Sequence, residues 1–206
     1  MSMRFCRMKR LFVLFTLLLF MSSSVLWASV GPSQKIEQIV NSVLKVLNRA
    51  DLDYAAKRKE VSGLVQSHIN IHSLSQRTLG IHWKKATPEQ RERFSQLFVQ
   101  ILEMTYLNRI EDYSGGRVDY LNERVKDDKA IIDTQFVSDK LEIPVQYKMI
   151  QEQGDWQIYD VVIENVSLVR NYRSSYGQIV SDEGFEGLFA RIETKLAEQA
   201  AATEKL

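Results

Sequence analysis

The three histidines are the first residues to consider for catalytic or metal chemistry. They stand at His68, His72 and His82. None has an acidic or cysteine neighbour at metal-ligand spacing, and the pair at 68 and 72 lacks the glutamate of a zinc-protease helix. We therefore interpret them as surface or packing residues, and the sequence predicts no metal site and no cofactor.

An isolated acid is the second candidate for chemistry. Asp160 stands between Tyr159 and Val161 in a run of apolar residues, which predicts a buried carboxylate that needs a partner. Arg173 is the partner that we predict. The alternative is a general base in a cavity, as in small isomerases and dehydratases. No histidine is near in sequence and no second acid accompanies it, so we favour the structural pair.

The elements that would position this acid belong to the stretch 156–173. Its first half, Trp156 to Ile163, is dense in β-branched and aromatic residues, which predicts a central strand buried on both faces. Asn165 then breaks the pattern, since asparagine tolerates a left-handed turn. Nothing in the stretch has the spacing of a nucleophile or a phosphate loop, so we predict no catalytic residues and no enzyme.

Residues 1–28 have the order of an export signal. A basic segment precedes the apolar run from Leu11 to Met21, and small residues follow it. The run is shorter than the roughly 20 residues of a membrane-spanning helix and is typical of a signal peptide. We predict cleavage after Ala28, the alternative being an uncleaved anchor. Residues 29–200 are then one domain, and 201–206 a frayed tail.

Composition limits the class of protein further. The sole cysteine, Cys6, lies in the predicted signal, so the exported chain depends on its core rather than on disulfides. Loss of the four basic residues of the signal changes the net charge from +1 to about −3, and such a near-neutral surface argues against a nucleic-acid partner. The remaining chain is within the size range of a single domain.

Helical periodicity dominates the first half of the exported chain. Apolar stripes predict helices over Ser33–Leu47 and roughly Tyr54–Ser67. Thr87-Pro88-Glu89-Gln90 predicts a helix start with a capping box. That helix is expected to continue to about Arg109.

After Ser114-Gly115-Gly116 the periodicity changes from 3.6 to 2. Alternating segments predict a four-stranded antiparallel meander, with strands around 118–120, 130–136, 141–149 and 156–163. Pro144 indicates an edge or a bulge in the third strand. Two closing helices are predicted over Leu168–Val180 and Phe185–Ala197.

The order of these elements predicts the class α+β, with helices packed on one side of a curved four-stranded antiparallel sheet. Glycine and proline at strand ends permit the curl that turns such a layer into a cone with a hollow. The hollow would be lined by aromatic and aliphatic residues. Periodicity alone does not distinguish a close-packed core from an apolar pocket.

Three motifs identify a family that this chain resembles. They are Leu79-Gly80…Trp83, Thr87-Pro88-Glu89-Gln90…Phe94 and Tyr159-Asp160-Val161…Asn171-Tyr172-Arg173. Together with their surroundings they resemble the periplasmic phospholipid carriers of the Mla system, also called toluene-tolerance auxiliary proteins of an ABC transporter. The resemblance extends from about Ile36 to Leu196. The family often has glycine where this chain has Asn165, which can adopt the same turn.

The resemblance implies a cone related to the NTF2-like fold, with extra helices and an apolar cavity for phospholipid acyl chains. It also implies a periplasmic protein, expected to be a monomer, that maintains the lipid asymmetry of the outer membrane. Its partners would be an outer-membrane lipoprotein–porin complex and an inner-membrane ABC transporter that carries an MCE protein. Two alternatives stay open: an NTF2-like enzyme acting on a small hydrophobic ligand, and an envelope adaptor without a pocket.

Fourteen apolar or aromatic residues are the candidates for contact with the acyl chains. They are Phe94, Phe98, Ile101, Tyr106, Val145, Tyr147, Trp156, Tyr159, Val161, Ile163, Tyr172, Tyr176, Leu188 and Phe189. For each of them, packing in an ordinary core is the alternative.

The predicted signal peptide has a direct test. Amino-terminal sequencing of the protein recovered from the periplasm should begin near Ser29, because the small residues up to Ala28 suit signal peptidase. Recovered protein that still begins at Met1 would contradict cleavage.

Overall fold

The computed structural model describes residues 30–107 and 113–203. The predicted signal peptide, its cleavage site after Ala28 and the last three residues of the predicted tail lie outside these ranges. So does Arg109, the predicted end of the third helix.

Among the described residues, four α-helices precede the sheet. They are α1 (Pro32–Leu47), α2 (Tyr54–Gln66), α3 (Ile71–Leu79) and α4 (Pro88–Tyr106), and a 3-10 helix, Gly80–Lys84, joins the last two. Three of the four confirm the sequence prediction. The helix α3 was not predicted, because it buries serine and threonine beside its leucines and so shows no apolar stripe.

The predicted start of α4 is confirmed. The Thr87 side chain accepts a hydrogen bond from the Gln90 N–H, and the Gln90 side chain accepts one from the Thr87 N–H. This reciprocal capping box satisfies two backbone donors that have no partner within the helix. It fixes where the apolar face of α4 begins.

The predicted antiparallel meander is confirmed and is followed by one further short strand. The strands are β1 (Arg117–Lys126), β2 (Lys129–Val137), β3 (Glu142–Glu152), β4 (Asp155–Ile163) and β5 (Val166–Ser167). They are ordered β1-β2-β3-β4-β5 in an antiparallel sheet. The turn between β4 and β5 holds Asn165 at φ 67°, which confirms the left-handed turn predicted there.

The prediction of a central, doubly buried strand at 156–163 is wrong in its position. The strand β4 is fourth in the order, with only the two-residue β5 beyond it. Along β4, fully buried and partly buried side chains alternate. The apolar density that suggested a central strand instead reflects helices on one side of β4 and a cavity on the other.

A β-bulge at Tyr159 changes which face of the sheet each side chain of β4 occupies. The pairing with β3 shifts between Ile158, opposite Met149, and Asp160, opposite Lys148. Ile158 and Val161 therefore share one face although they are three residues apart. Bulges increase the local twist and bend the strand, and a second irregularity in β1, next to Tyr120, adds to the curvature of the sheet.

The prediction that Pro144 marks an edge strand or a bulge is also wrong. The strand β3 is the central one, and Pro144 pairs with Gln135 of β2 in regular register. The missing N–H is tolerated because the ladder with β4 begins only at Val145, opposite Ile163. The Pro144 carbonyl accepts a hydrogen bond from the Glu164 N–H in the following turn.

The chain closes with α5 (Leu168–Thr203), which is broken at Gly184. Gly184 has φ 72° and non-helical geometry, a conformation that glycine adopts without a Cβ penalty. The two helical segments on either side correspond to the two closing helices that were predicted. The second continues to Thr203, so the first residues of the predicted frayed tail are helical.

The apolar interior is divided into two main clusters. One is helical, formed by α3, α4, α5 and the 3-10 helix around Phe94, Phe98 and Phe189. The other joins α1 to the sheet, with Ile36 and Met149 fully buried. Among the residues that the structure describes, no helix is both long and apolar enough to cross a membrane.

Asp160 is buried, as predicted, but its partner is not Arg173. The Lys148 ammonium lies 2.9 Å from one carboxylate oxygen, and the Ser167 hydroxyl donates to the same oxygen at 2.7 Å. The Val169 N–H donates to the other oxygen at 3.1 Å. The carboxylate therefore lies at the N-terminus of α5, where the helix dipole favours a negative charge.

Arg173 instead donates from its guanidinium to the backbone carbonyl of Arg77, which connects α5 to α3. The antiparallel register explains the exchange of partners. Lys148 lies directly opposite Asp160 across the β3–β4 ladder, and cross-strand neighbours of opposite charge interact.

Removing the Asp160 carboxylate should be strongly destabilising. We expect Asp160→Asn to lower the free energy of unfolding by about 3–5 kcal/mol, because Lys148 loses its buried counter-ion. Asp155→Asn, on the same strand, is the matched control. It breaks the ion pair between Asp155 and Lys35, in which the Asp155 side chain is 54% exposed. This change should lower the free energy of unfolding by less than about 1 kcal/mol. Denaturant titration measures both. Equal losses for the two variants would contradict the buried role of Asp160.

Candidate functional site

A cavity of about 290 Å³ lies between the sheet and the helices α1 and α2. The helices contribute an aliphatic wall that consists of Ile39, Val40, Val43, Leu44, Leu47, Val61 and Val65. The sheet contributes the facing wall, which consists of Val118, Thr134, Phe136, Ile143, Val145, Tyr147, Ile158, Val161 and Ile163. Tyr106, Leu107 and Tyr113 complete the lining.

Strand register explains why these side chains meet. Val145 of β3 pairs with Thr134 on one side and with Ile163 on the other, so the three share one face of the sheet. Tyr147 is placed in the same way, opposite Val161. The bulge in β4 adds Ile158 to this face. The cavity wall is thus made by the four neighbouring strands β1 to β4.

The described lining offers no acid or base for catalysis. It contains no carboxylate, histidine, lysine or arginine. Burial raises the pKa of Tyr147 to about 12, so this phenol stays neutral at physiological pH. The Thr134 hydroxyl donates to the Val145 carbonyl at 2.9 Å. The site can hold an apolar ligand by burying its surface, and little else.

A second pocket, of about 190 Å³, adjoins the cavity. The two share five lining residues, namely Val65, Tyr106, Leu107, Val161 and Ile163. The second pocket reaches between α2 and α4 and is also bordered by Ser62, Gln66 and Glu103. Apart from the Tyr106 hydroxyl, these three side chains carry the polar groups of its described lining.

Five of the fourteen candidate residues line the cavity: Tyr106, Val145, Tyr147, Val161 and Ile163. Two others on β4 lie elsewhere. Trp156 is packed against α1 in the sheet cluster, and the ring of Tyr159, the bulge residue, lies 4.1 Å from the guanidinium of Arg77.

The other seven candidates belong to the helical cluster and do not border the cavity. They are Phe94, Phe98, Ile101, Tyr172, Tyr176, Leu188 and Phe189. Four of their rings pack against one another, with Phe98 in contact with three. Burial raises the pKa of the Tyr176 phenol far above its usual value. Ligand contact by these seven stays a prediction, and their positions are those of a close-packed core.

Sequence reasoning missed the cavity wall supplied by α1 and α2. The signal was present, because Ile39, Val40, Val43 and Leu47 form the apolar stripe that predicted α1. A stripe shows that a helix covers something apolar, but it carries no information on whether the covered space is filled. Phe136 and Ile143 likewise lie within predicted strands, but neither was among the candidate residues for ligand contact.

Comparison with known proteins identifies the family. The family model described as "MlaC protein" matches residues 37–194, more than half of the chain. The chain belongs to the MlaC family.

Two curated relatives of this MlaC-family chain have informative names. One is the intermembrane phospholipid transport system binding protein MlaC of Haemophilus influenzae, 21% identical over 137 residues, which are 61% of this chain and 62% of the relative. The other is the toluene tolerance protein ttg2D of Pseudomonas putida, 24% identical over 103 residues, or 49% of this chain and 48% of the relative. The matches thus span 62% and 48% of the length of these two relatives.

A solved structure shares the fold of this MlaC-family chain. It is the phospholipid-binding protein of Ralstonia solanacearum, determined in complex with a phospholipid, with a TM-score of 0.73 and 21% sequence identity. The match covers 80% of this chain and 96% of the other. The α+β architecture with a curved antiparallel sheet is confirmed by this likeness.

The division between core and cavity can be tested with a matched pair of isoleucines. Ile101 is fully buried in the helical cluster, so Ile101→Ala should cost about 2–5 kcal/mol. Ile163 borders the cavity and lacks neighbours on that side, so Ile163→Ala should cost only about 1 kcal/mol. Urea unfolding of refolded, ligand-free protein measures the two losses. Similar losses would mean that Ile163 is as closely packed as Ile101.

Proposed function

We propose that this MlaC-family protein is a periplasmic phospholipid carrier and not an enzyme. The observation that carries the proposal is the cavity between the sheet and the helices α1 and α2. Apart from Thr134, its described lining is aliphatic and aromatic, and it contains no carboxylate, histidine, lysine or arginine. The names of the Haemophilus and Ralstonia proteins, which describe phospholipid transport and phospholipid binding, support the choice of ligand.

The energetics explain why a carrier is needed. Two acyl chains hold roughly 30 methylenes, and each costs about 0.8 kcal/mol on transfer to water. The gross cost of exposing both chains is therefore about 24 kcal/mol, so a free phospholipid does not cross an aqueous compartment at a useful rate. An apolar cavity offsets this cost by giving the chains surroundings similar to the bilayer.

The size of the cavity implies that the protein opens when it binds a phospholipid. A cavity of about 290 Å³ is at the small end of the range of roughly 300–1,000 Å³ for pockets of drug-sized ligands, and a two-chain lipid is larger. The adjoining pocket extends the apolar space between α2 and α4. We infer that the chains occupy both spaces and that α1 and α2 move away from the sheet to admit them.

The need to release the bound lipid implies partner proteins. A carrier that bound lipid far more tightly than a bilayer does would never release it. Membrane-bound complexes must therefore open the carrier at each of the two membranes. We propose an outer-membrane lipoprotein–porin complex and an inner-membrane ABC transporter with an MCE protein, with a monomeric carrier moving between them. This exchange would maintain the lipid asymmetry of the outer membrane.

The enzyme alternative loses its candidate base. Asp160 lies on the face of the sheet opposite the cavity, because Lys148, its cross-strand partner, alternates with Tyr147 along β3. Both of its carboxylate oxygens are also occupied. The adaptor alternative predicts a filled interior, which the cavity does not favour.

Filling the cavity should displace lipid without unfolding the protein. Val145→Trp adds an indole on the cavity face, where it can take space that an acyl chain would occupy. We expect a folded variant with a nearly unchanged melting temperature and several-fold less phospholipid extracted per mole of protein. In a close-packed core the same change would cost about 1–3 kcal/mol.

The matched control is Val166→Trp, because Val166 is 53% exposed on β5 and lies outside the cavity lining. It should retain both lipid and stability. A folded Val145→Trp variant with undiminished lipid would place the binding site elsewhere. Wild-type protein purified from the periplasm without any lipid would contradict the carrier function itself.

A further inference from the structure

Glu103 is an unusual residue in the wall of an apolar pocket. It lies on α4, one turn before Tyr106 and Leu107, which border both the pocket and the main cavity. Its side chain is half-buried. Apart from Glu103, Ser62 and Gln66, the described lining of the pocket is apolar except for the Tyr106 hydroxyl.

Within the part of the chain that the structure describes, only one oxygen of the Glu103 carboxylate accepts a hydrogen bond. The Ser62 hydroxyl and the Gln66 amide, both on α2, donate to Oε1. Within the described ranges, Oε2 has no hydrogen-bond donor, and no lysine, arginine or histidine forms an ion pair with Glu103. The other half-buried or buried carboxylate discussed above, Asp160, is paired with a lysine.

A half-buried carboxylate without a counter-ion is costly, and a cation from a ligand would remove the cost. A phospholipid whose chains lie in the cavity and the pocket leaves its headgroup at the polar border of the apolar space. That border is where Ser62, Gln66 and Glu103 meet. A primary ammonium also has the N–H donors that a free carboxylate oxygen accepts, in a charge-assisted hydrogen bond.

We propose that Glu103 binds the ammonium of the lipid headgroup through Oε2 and so selects ethanolamine phospholipids over anionic ones. Ser62 and Gln66 position the carboxylate by holding its other oxygen. An anionic glycerol headgroup offers no positive charge to Glu103 and brings a net negative one. This inference rests on the proposed carrier function and adds the headgroup preference to it.

The variant Glu103→Gln removes the negative charge of the side chain and keeps its hydrogen bonds to α2. The amide oxygen of glutamine can still accept from Ser62 and Gln66, so the contact between α2 and α4 is retained while the charge is lost. Glu92→Gln is the matched control, because Glu92 is exposed on the same helix and also accepts from a glutamine amide, that of Gln96.

Delipidated protein is equilibrated with vesicles of equimolar phosphatidylethanolamine and phosphatidylglycerol with identical acyl chains, and the bound lipids are quantified by mass spectrometry. Wild type and Glu92→Gln should bind about fivefold more ethanolamine lipid, which corresponds to about 1 kcal/mol. Glu103→Gln should bind the same total amount with a ratio near one. An unchanged ratio in Glu103→Gln, or a wild-type ratio near one, would overturn the proposal.

A second measurement uses the wild-type protein alone, so that it does not depend on the folding of a variant. Phosphatidylethanolamine competes with the same lipid acetylated on its amine, which has no positive charge. We expect a similar, roughly fivefold preference for the free amine, and equal binding would overturn the role of the ammonium. Wild-type protein that takes up neither lipid would instead count against the carrier function, so the two failures can be told apart.

Discussion

The buried carboxylate of Asp160 is the interaction on which the relative position of the two apolar clusters depends. It lies on β4 and accepts from Lys148 of β3, so it belongs to the sheet. It also accepts from the Ser167 hydroxyl and the Val169 N–H, so it holds the first turn of α5. The partial positive charge of the helix N-terminus and the ammonium of Lys148 both attract this carboxylate. The helix α5 carries much of the helical cluster, and β4 carries part of the cavity wall. The Asp160 side chain therefore holds the helical cluster and the cavity wall in a fixed relative position.

The bulge at Tyr159 explains how one strand serves both clusters. Without it, strict alternation would place Ile158 and Val161 on opposite faces. With it, Ile158 and Val161 both face α1 and the cavity, while Asp160 and Val162 remain on the other face. Bulges bend and twist a strand, and the curvature keeps the sheet from packing flat against α1 and α2. The ring of Tyr159, moved out of the ladder, is stabilised by the Arg77 guanidinium at 4.1 Å.

Periodicity was sufficient to predict the helices α1, α2 and α4, the meander and the two closing segments, because each buries one continuous apolar face. The same reasoning failed for α3, which buries Ser75 and Thr78, and for the partner of Asp160, which depends on strand register rather than on distance along the chain. Cavity lining was predictable only in part. Val145, Tyr147, Val161 and Ile163 on the strands and Phe98 on α4 look alike as inward-facing apolar residues. Whether the space in front of each side chain is filled depends on the distance between the helices and the sheet. No single segment of sequence predicts that distance.

The physical requirements on a carrier assign different tasks to the apolar and the polar parts of the proposed site. Acyl chains are recognised by area alone, since the hydrophobic effect is non-directional, so the cavity provides capacity and very little selectivity. Binding must also stay close to the affinity of the bilayer for its own lipid, or delivery fails. Strong extra contacts deep in the cavity would therefore impair transport, whereas a weak polar contact at the border can sort headgroups within the same overall affinity. A half-exposed carboxylate suits this task, because surrounding water limits its contribution to about 1 kcal/mol. The polar border between α2 and α4 is consequently the part of the molecule where lipid identity can be distinguished without loss of exchange.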